Sequence, residues 1–173
     1  MKADQLANGS WRLDPARSEV GFAVRHFWGL ITVKGHFDRY EGHLRLGSEP
    51  AIELVIEATS LDTGNAKRDQ HLRSADFFDV EHHPQVVFAS ESAVLDGDVL
   101  KVRGALKAAG RLVPLGVEAG LSDSDGGLEL GAETELDHRD LGMTWSPMGM
   151  LRAPARLIVR GRLVPVDDPP AVS

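Results

Sequence analysis

Arg68, Asp69, His71, Arg73 and Asp76 are the densest group of chemically capable side chains in this chain, set within RDQHLRSADFFDVEHHP, residues 68–84. The chemistry such a group offers is recognition. Arginine presents a planar fork that suits phosphate oxygens, and a nearby histidine adds a ring donor or acceptor. Arg68 and His71 are therefore candidates to meet a polar head group or to hold a gate closed. The competing reading is architectural: Arg68 pairs with Asp76, and His71 anchors the segment by hydrogen bonds. Both readings stand for Arg68 and His71, and the architectural one takes precedence for Asp69 and Asp76. The segment contains no nucleophile paired with a base, no phosphate loop and no metal cage.

The other candidates for chemistry are thin. Seven histidines are a fair supply for a metal, but there is no His-Glu-x-x-His and no cysteine spacing. A site would need His26, His71 and His138 to converge from distant segments. His26 falls on an apolar strand face after Val24, where it reads as a hydrogen-bonded core residue or as a polar contact inside a cavity. His36 and His43 fall on polar faces. His82 and His83 are adjacent, so a strand would send them to opposite sides. Asp123-Ser124-Asp125-Gly126 resembles the start of a calcium loop, but Thr134 stands where the closing glutamate belongs, and a hairpin turn is the better reading. No Gly-x-Ser-x-Gly elbow is present. Glu53, Glu57, Glu129, Glu133 and Glu135 fall on polar strand faces, with Glu133 and Asp137 open to an inward placement. No metal and no cofactor is expected.

The elements that must position these residues are strands. Val20, Phe22, Val24 and His26 alternate with Gly21, Ala23 and Arg25, a period of two that marks a half-buried strand. The same alternation runs through Ile52–Glu57, Leu100–Lys107, Leu128–Glu135 and Ala155–Leu163. Asp96-Gly97 is a hairpin signal, and Gly47–Pro50, Ala109-Gly110 and Ser122–Gly127 are further turns. Helix signals are few. Lys67–Ser74 forms one short helix, which Asn65 is placed to cap, and Asp76–Val80 suggests a second helical turn.

Length and composition bound the rest. The 173 residues fit one domain, read as residues 1–166, with a loose proline-bearing tail at 167–173. A net charge of −7 argues against nucleic-acid binding. No run is long and apolar enough to cross a bilayer. The opening MKADQLANGSWRLD has no apolar stretch, so the chain as given reads as cytoplasmic.

Sheets with one apolar face and almost no helix to cover it close most simply on themselves, which also removes edge strands. The expected fold is all-β, an antiparallel barrel of about eight strands with one or two short helical segments near one end. Gly35, Ala58, Gly104, Ala132 and Gly161 are small residues on the inward face and leave room inside. The alternative is a filled core in which these glycines mark bends.

Four blocks of the chain resemble the YceI-like family of polyisoprenoid-binding proteins. The first matches N-x-x-R-D-x-H-L-R-S-x-D-F-F-D-x-x-x-x-P at Asn65, Arg68, Asp69, His71, Leu72, Arg73, Ser74, Asp76, Phe77, Phe78, Asp79 and Pro84. The second is Trp11, Leu13, Asp14, Ser18, Val20, Phe22, Val24 and His26. The third is Val33, Gly35, Phe37 and Gly42. DHRDLGMTW, with Arg139, Gly142, Met143 and Trp145, is similar to a later family block. The resemblance implies an extended lipocalin-like barrel with a long apolar channel, a possible homodimer, and export for many relatives.

The expected function is non-enzymatic binding, storage or transport of a long apolar ligand: a polyisoprenoid, an isoprenoid quinone or a fatty-acid-like lipid. Phe22, Val24, His26, Phe37, Ile56, Phe77, Phe78, Phe88, Leu106, Leu136, Met143, Trp145 and Leu157 are expected to line the channel. Methionines 143, 148 and 150 would adapt to a flexible tail, or would simply pack in core and loop. Phe77 and Phe78 are expected to plug one end, so that residues 65–79 act as a gate. The alternatives are an enzyme acting on a hydrophobic small molecule, with His26 or His71 as acid-base group, and an interaction module with a filled core.

Overall fold

The run YEGHLRL sets the pattern for the whole molecule. Tyr40, Gly42, Leu44 and Leu46 are buried, while Glu41, His43 and Arg45 are exposed. Successive strand side chains point to opposite faces, so each such run buries one side. The computed structural model describes residues 8–26, 31–141 and 155–166 and repeats this pattern along ten strands. These are β1 (Gly9–His26), β2 (Ile31–Phe37), β3 (Tyr40–Leu46), β4 (Ala51–Glu57), β5 (Leu61–Asp62), β6 (Gln85–Asp96), β7 (Val99–Ala108), β8 (Arg111–Ser124), β9 (Gly127–Leu136) and β10 (Ala155–Val166). One helix, α1 (Ala66–Arg73), stands between β5 and β6.

All pairings are antiparallel, and β10 returns to pair with β1, which closes the barrel. The ten strands act as eight staves. β2 and β3 lie end to end along one edge of β1, from Val24 opposite Val33 to Val20 opposite Phe37, and then from Arg12 opposite His43 to Gly9 opposite Leu46. β4 and β5 do the same along β3 and β2, joined by a 3₁₀ turn at Ala58–Ser60. Counted this way the chain is an up-and-down meander, and the all-β barrel expected from the sequence is what forms.

Turn chemistry explains the short connections. Asp125-Gly126 has φ values of 41° and 83°, and Ala109-Gly110 has 51° and 77°. Two positive φ values in a two-residue loop match the right-handed twist of the flanking strands. The Asp123–Gly126 run is therefore a hairpin turn. Gly97, at φ 66°, opens the β6–β7 loop.

The helix begins where expected: the Asn65 side chain accepts from the Arg68 N–H at 3.0 Å, satisfying an orphan donor of the first turn. The second helical turn expected at Asp76–Val80 does not form. That stretch folds back on the end of α1, with Phe78 N–H donating to Leu72 O at 3.0 Å and Val80 N–H to Arg73 O at 3.1 Å. Asp79 sits at φ 49°, which a helix cannot continue through.

The small inward residues do not leave the room expected of them. A Cβ on Gly35 would lie 2.5 Å from the Phe22 ring, one on Gly104 2.3 Å from the Ala89 carbonyl oxygen, and one on Gly161 2.0 Å from Ser18 Oγ. Neighbouring atoms already occupy those spaces, so these glycines mark close approaches. Ala58 is fully buried in the 3₁₀ turn. Ala132 alone of the five borders the interior cavity.

Gly161→Ala is expected to destabilise the protein by about 1–3 kcal/mol, because the added methyl overlaps Ser18 backbone as well as side chain. Urea denaturation against the parent measures this, and an unchanged midpoint would show that β1 can yield at Ser18.

Candidate functional site

Among the described residues, inward alternation on eight staves leaves a partly open apolar cavity of about 90 Å³ in the middle of the barrel. Leu13, Leu44 and Leu163 bound it toward the end that carries the tight β3–β4, β6–β7 and β8–β9 turns. Leu54, Phe88, Leu106, Leu115 and Leu157 bound it toward the opposite end, and Val117, Leu130, Ala132, Thr134 and Val159 complete one wall. Of the residues expected to line a channel, Phe88, Leu106 and Leu157 touch this cavity. Phe22 and Phe37 lie beyond it, their rings 5.6 Å apart, and Phe78 meets Phe37 edge-on at 5.9 Å and Phe22 at 6.4 Å. Ile56 and Leu136 are buried and Val24 half-buried in the same apolar core. Phe77 is buried, with its ring at 5.2 Å from that of His71. Met143 and Trp145, like Met148 and Met150, lie outside the described residues, as does the side chain of His26.

Several lining residues were not singled out from the sequence. Leu54 had a signal, being on the same face as Ile52 and Ile56. Leu115 and Val117 were hidden because Pro114 and Gly116 interrupt the alternation of β8.

Residues 63–84 form a strap over the end opposite the tight turns, and its polar motif is spent on holding it there. Arg68 donates from Nε to Thr63 Oγ1 and from Nη2 to the Thr63 carbonyl, both at 2.8 Å. Asp69, only 6% exposed, accepts from Thr63 N–H at 2.9 Å and from the Thr63 hydroxyl. Arg73 Nη2 donates to Leu61 O at 2.6 Å. His71 Nε2 lies 3.1 Å from Asp76 Oδ2, so Asp76 pairs with His71, while Arg68 turns to Thr63. At the far end Ala58 N–H donates to Pro84 O at 2.8 Å. Leu72, Phe78 and Val80 pack the strap on the core.

His82 is exposed, and its Nδ1 lies 2.9 Å from Asp79 Oδ1. That hydrogen bond, with the added charges of Asp79 and Glu81, holds its pKa above the ordinary imidazole value. His83 leans over the β7–β8 turn, where a Cβ on Gly110 would meet its ring at 2.7 Å. His36 and His43 are exposed. Register also brings His36, Asp38 and Asp62 together at the surface, with ligand-type atoms within 4.8 Å and His36 paired with Asp38 at 3.1 Å. Sequence reading missed this group because Asp62 arrives only through the β2–β5 pairing. It lies outside the cavity.

An eight-stave antiparallel barrel with an apolar interior and one strapped end is a lipocalin-like architecture. The chain belongs to the YceI-like family, whose domain model matches residues 11–162. Protein YceI of Escherichia coli O157:H7 is 37% identical over 124 residues, which is 67% of this chain and 64% of that protein's length. Among solved structures, Burkholderia cenocepacia BcnA superposes with a TM-score of 0.80 at 14% identity, covering 88% of this chain and 99% of that one. A polyisoprenoid-binding domain from Saccharophagus degradans, implicated in plant cell wall breakdown, gives 0.72 at 13% identity, covering 92% and 100%. These two likenesses establish the fold.

The raised pKa of His82 makes a signed prediction. The Asp79–His82 pair adds stability below the unfolded imidazole pKa, and that contribution is lost as pH rises through the higher folded value. His82→Gln is therefore expected to lower the unfolding midpoint at pH 5.5 and to leave it unchanged at pH 8.5. A loss of equal size at both pH values would show that the ring acts by packing.

Proposed function

We propose that this protein binds and stores or carries a long apolar ligand without transforming it, the tail passing from water into the barrel. The ligand is of the polyisoprenoid, isoprenoid quinone or fatty-acid-like kind. The observation that supports this most directly is the cavity itself: a space within a closed barrel, walled almost wholly by aliphatic and aromatic side chains, in a chain of the YceI-like family. Burying each methylene contributes about 0.8 kcal/mol, so about ten methylenes supply about 8 kcal/mol before the cost of ordering the tail.

Catalysis would require at least two convergent polar groups in contact with the bound molecule. Of the polar residues around the cavity, the Thr134 hydroxyl is occupied by the Gly116 carbonyl, Glu133 is engaged by Arg156 at 2.9 Å, and His43 and Glu53 are exposed side chains of the outer face. The supply of acid-base groups within the described wall favours binding. Arg68 and His71 act in this reading by fastening the strap.

The size of the cavity adds a condition. A dry apolar cavity of about 150 Å³ accepts a single benzene, and this one is about 90 Å³. A long tail must therefore part side chains as it is taken up.

Native mass spectrometry of protein purified from cells is expected to show a lipid adduct. A fluorescent fatty acid or prenyl probe is expected to bind at one equivalent. Ala132→Leu, which fills the cavity, should abolish probe binding while keeping the unfolding midpoint at or above that of the parent. The absence of both adduct and uptake in the parent protein, or full binding by Ala132→Leu, would overturn the reading.

A further inference from the structure

The barrel wall is not sewn along its whole length. β8 and β9 pair from Ser124 opposite Gly127 to Ala119 opposite Ala132, and there the ladder ends. β8 continues back to Arg111 and β9 on to Leu136, yet among the described residues no ladder pair joins 111–118 to 133–136. On their other sides both strands stay paired, β8 with β7 from Ala108 opposite Arg111 onward and β9 with β10 as far as Leu136 opposite Ala155. The result is a window in the wall. The end of the ladder bounds it below, and a 3₁₀ turn at His138–Leu141, which rests on β8, bounds it above.

Three further observations bear on this window. The cavity reaches it, since Leu115, Val117, Ala132, Glu133 and Thr134 all border that cavity. A solvent-exposed side-chain bond spans it, from Thr134 Oγ1 to the Gly116 carbonyl at 3.1 Å. Pro114 stands in β8. Because the Gly116 carbonyl faces the window, the two-residue alternation of ladder bonding turns the backbone of Leu112, Pro114 and Glu118 that way too. A proline has no N–H to offer on that side, which is where strands tolerate it, and it discourages a foreign strand from pairing there. Outside the barrel, Leu112 is 68% exposed at the same margin.

We propose that the β8–β9 window is the portal of the cavity and the seat of the ligand's polar head. This rests on the binding function proposed above. Among the described residues, parting the strands at 111–118 and 133–136 breaks no ladder bond but does break the Thr134 bridge. Unpaired backbone groups of β8 then serve an uncharged, hydrogen-bonding head such as a hydroxyl or amide, and Gly116 has no side chain to obstruct it. The chemistry of the margin disfavours an anion. Residues 111–118 and 133–136 include Glu118, Glu133 and Glu135 against a single cation, Arg111, the first residue of β8. Of the flanking cations, Arg156 is bonded to Glu133 and Lys101 to Asp96, while Arg103 and Lys107 stand on β7 opposite Gly116 and Leu112. Below the window the β8–β9 turn is tied to β10, because Arg162 Nη2 donates to the carbonyls of Ser124 and Asp125 at 3.0 and 2.9 Å, and the ladder from Ser124–Gly127 to Ala119–Ala132 stays paired. Opening therefore hinges near Ala119 and Ala132.

The chain has no cysteine, so a staple can be introduced cleanly as Glu118→Cys with Glu133→Cys, its closure verified by thiol titration. The oxidised protein is expected to take up a fluorescent prenyl alcohol at least tenfold more slowly than the reduced one, with recovery on reduction. Thr134→Trp, which narrows the window without a disulfide, should slow uptake comparably, and Arg68→Ala, which loosens the strap, should leave the rate unchanged. The corresponding prenyl phosphate should bind at least tenfold more weakly than the alcohol. If stapled and Thr134→Trp proteins load at the parent rate, or Arg68→Ala alone accelerates loading, access lies at the strapped end and the portal assignment fails while ligand binding stands. Phosphate binding equal to or tighter than alcohol binding overturns the head assignment. If the parent binds neither probe at equilibrium, it is the binding function that fails.

Discussion

Closure of β10 onto β1 is the pairing on which the rest of the structure depends. An apolar sheet face with almost no helix to cover it has to be hidden by the sheet itself, and the two edge strands of an open sheet need partners. β1 makes this possible by being long enough to pair with three strands. It pairs with β10 along one edge and with β3 and then β2 along the other. The break in register between Leu13 and Ser18 lets it bend as it changes partners. At that bend Ser18 presses directly on Gly161, and its Oγ accepts from the Arg162 N–H at 3.3 Å. The cavity and the aromatic cluster exist because this seam holds.

The two ends of the barrel are finished by different means. One has tight turns, closed by Trp11, Leu46, Leu100 and Leu128 in the core beneath. The other has the strap, an excursion between β5 and β6 that returns to the sheet at Pro84. Its polar side chains bond mainly to backbone of the same segment or its approach: Arg68 and Asp69 to Thr63, Arg73 to Leu61 and Asn65 to Arg68. Such a device positions Phe78 against Phe22 and Phe37, and buries Phe77, without a sheet ladder, so its stability is local and separable from that of the wall.

What could be read from the sequence followed from how local each signal is. Alternation in Ile52–Glu57, Leu100–Lys107, Leu128–Glu135 and Ala155–Leu163 showed the strands, and Asp96-Gly97 and Asn65 marked a hairpin and a helix cap, because each needs only neighbouring residues. β8 was not read as a strand, since Pro114, Gly116 and Gly120 mask a regular inward set of Val113, Leu115, Val117, Ala119 and Leu121. The cavity wall was read in part, through Phe88, Leu106 and Leu157. The glycines misled because an absent side chain looks the same in sequence whether a neighbour fills its place or not. Phe22 beside Gly35 and Ser18 beside Gly161 arrive from distant positions. The Arg68 clamp on Thr63 and the pairing of His71 with Asp76 also needed coordinates.

The meander order has a kinetic consequence. From β3 to β10, each stave neighbours the one made just before it, so most wall contacts can form as the chain is extended, with short loops to close. The β1–β10 pairing is different: Ser18 and Arg162 are 144 residues apart. Bringing such distant segments together carries the largest loop-closure entropy in the wall. Until it happens the molecule is a curled sheet with two open edges, β1 on one side and β10 on the other, each able to pair with another chain. Crowding of partly made molecules is then most hazardous in the interval between completion of β9 and capture of β10, and whatever lengthens that interval favours assembly between molecules over closure within one.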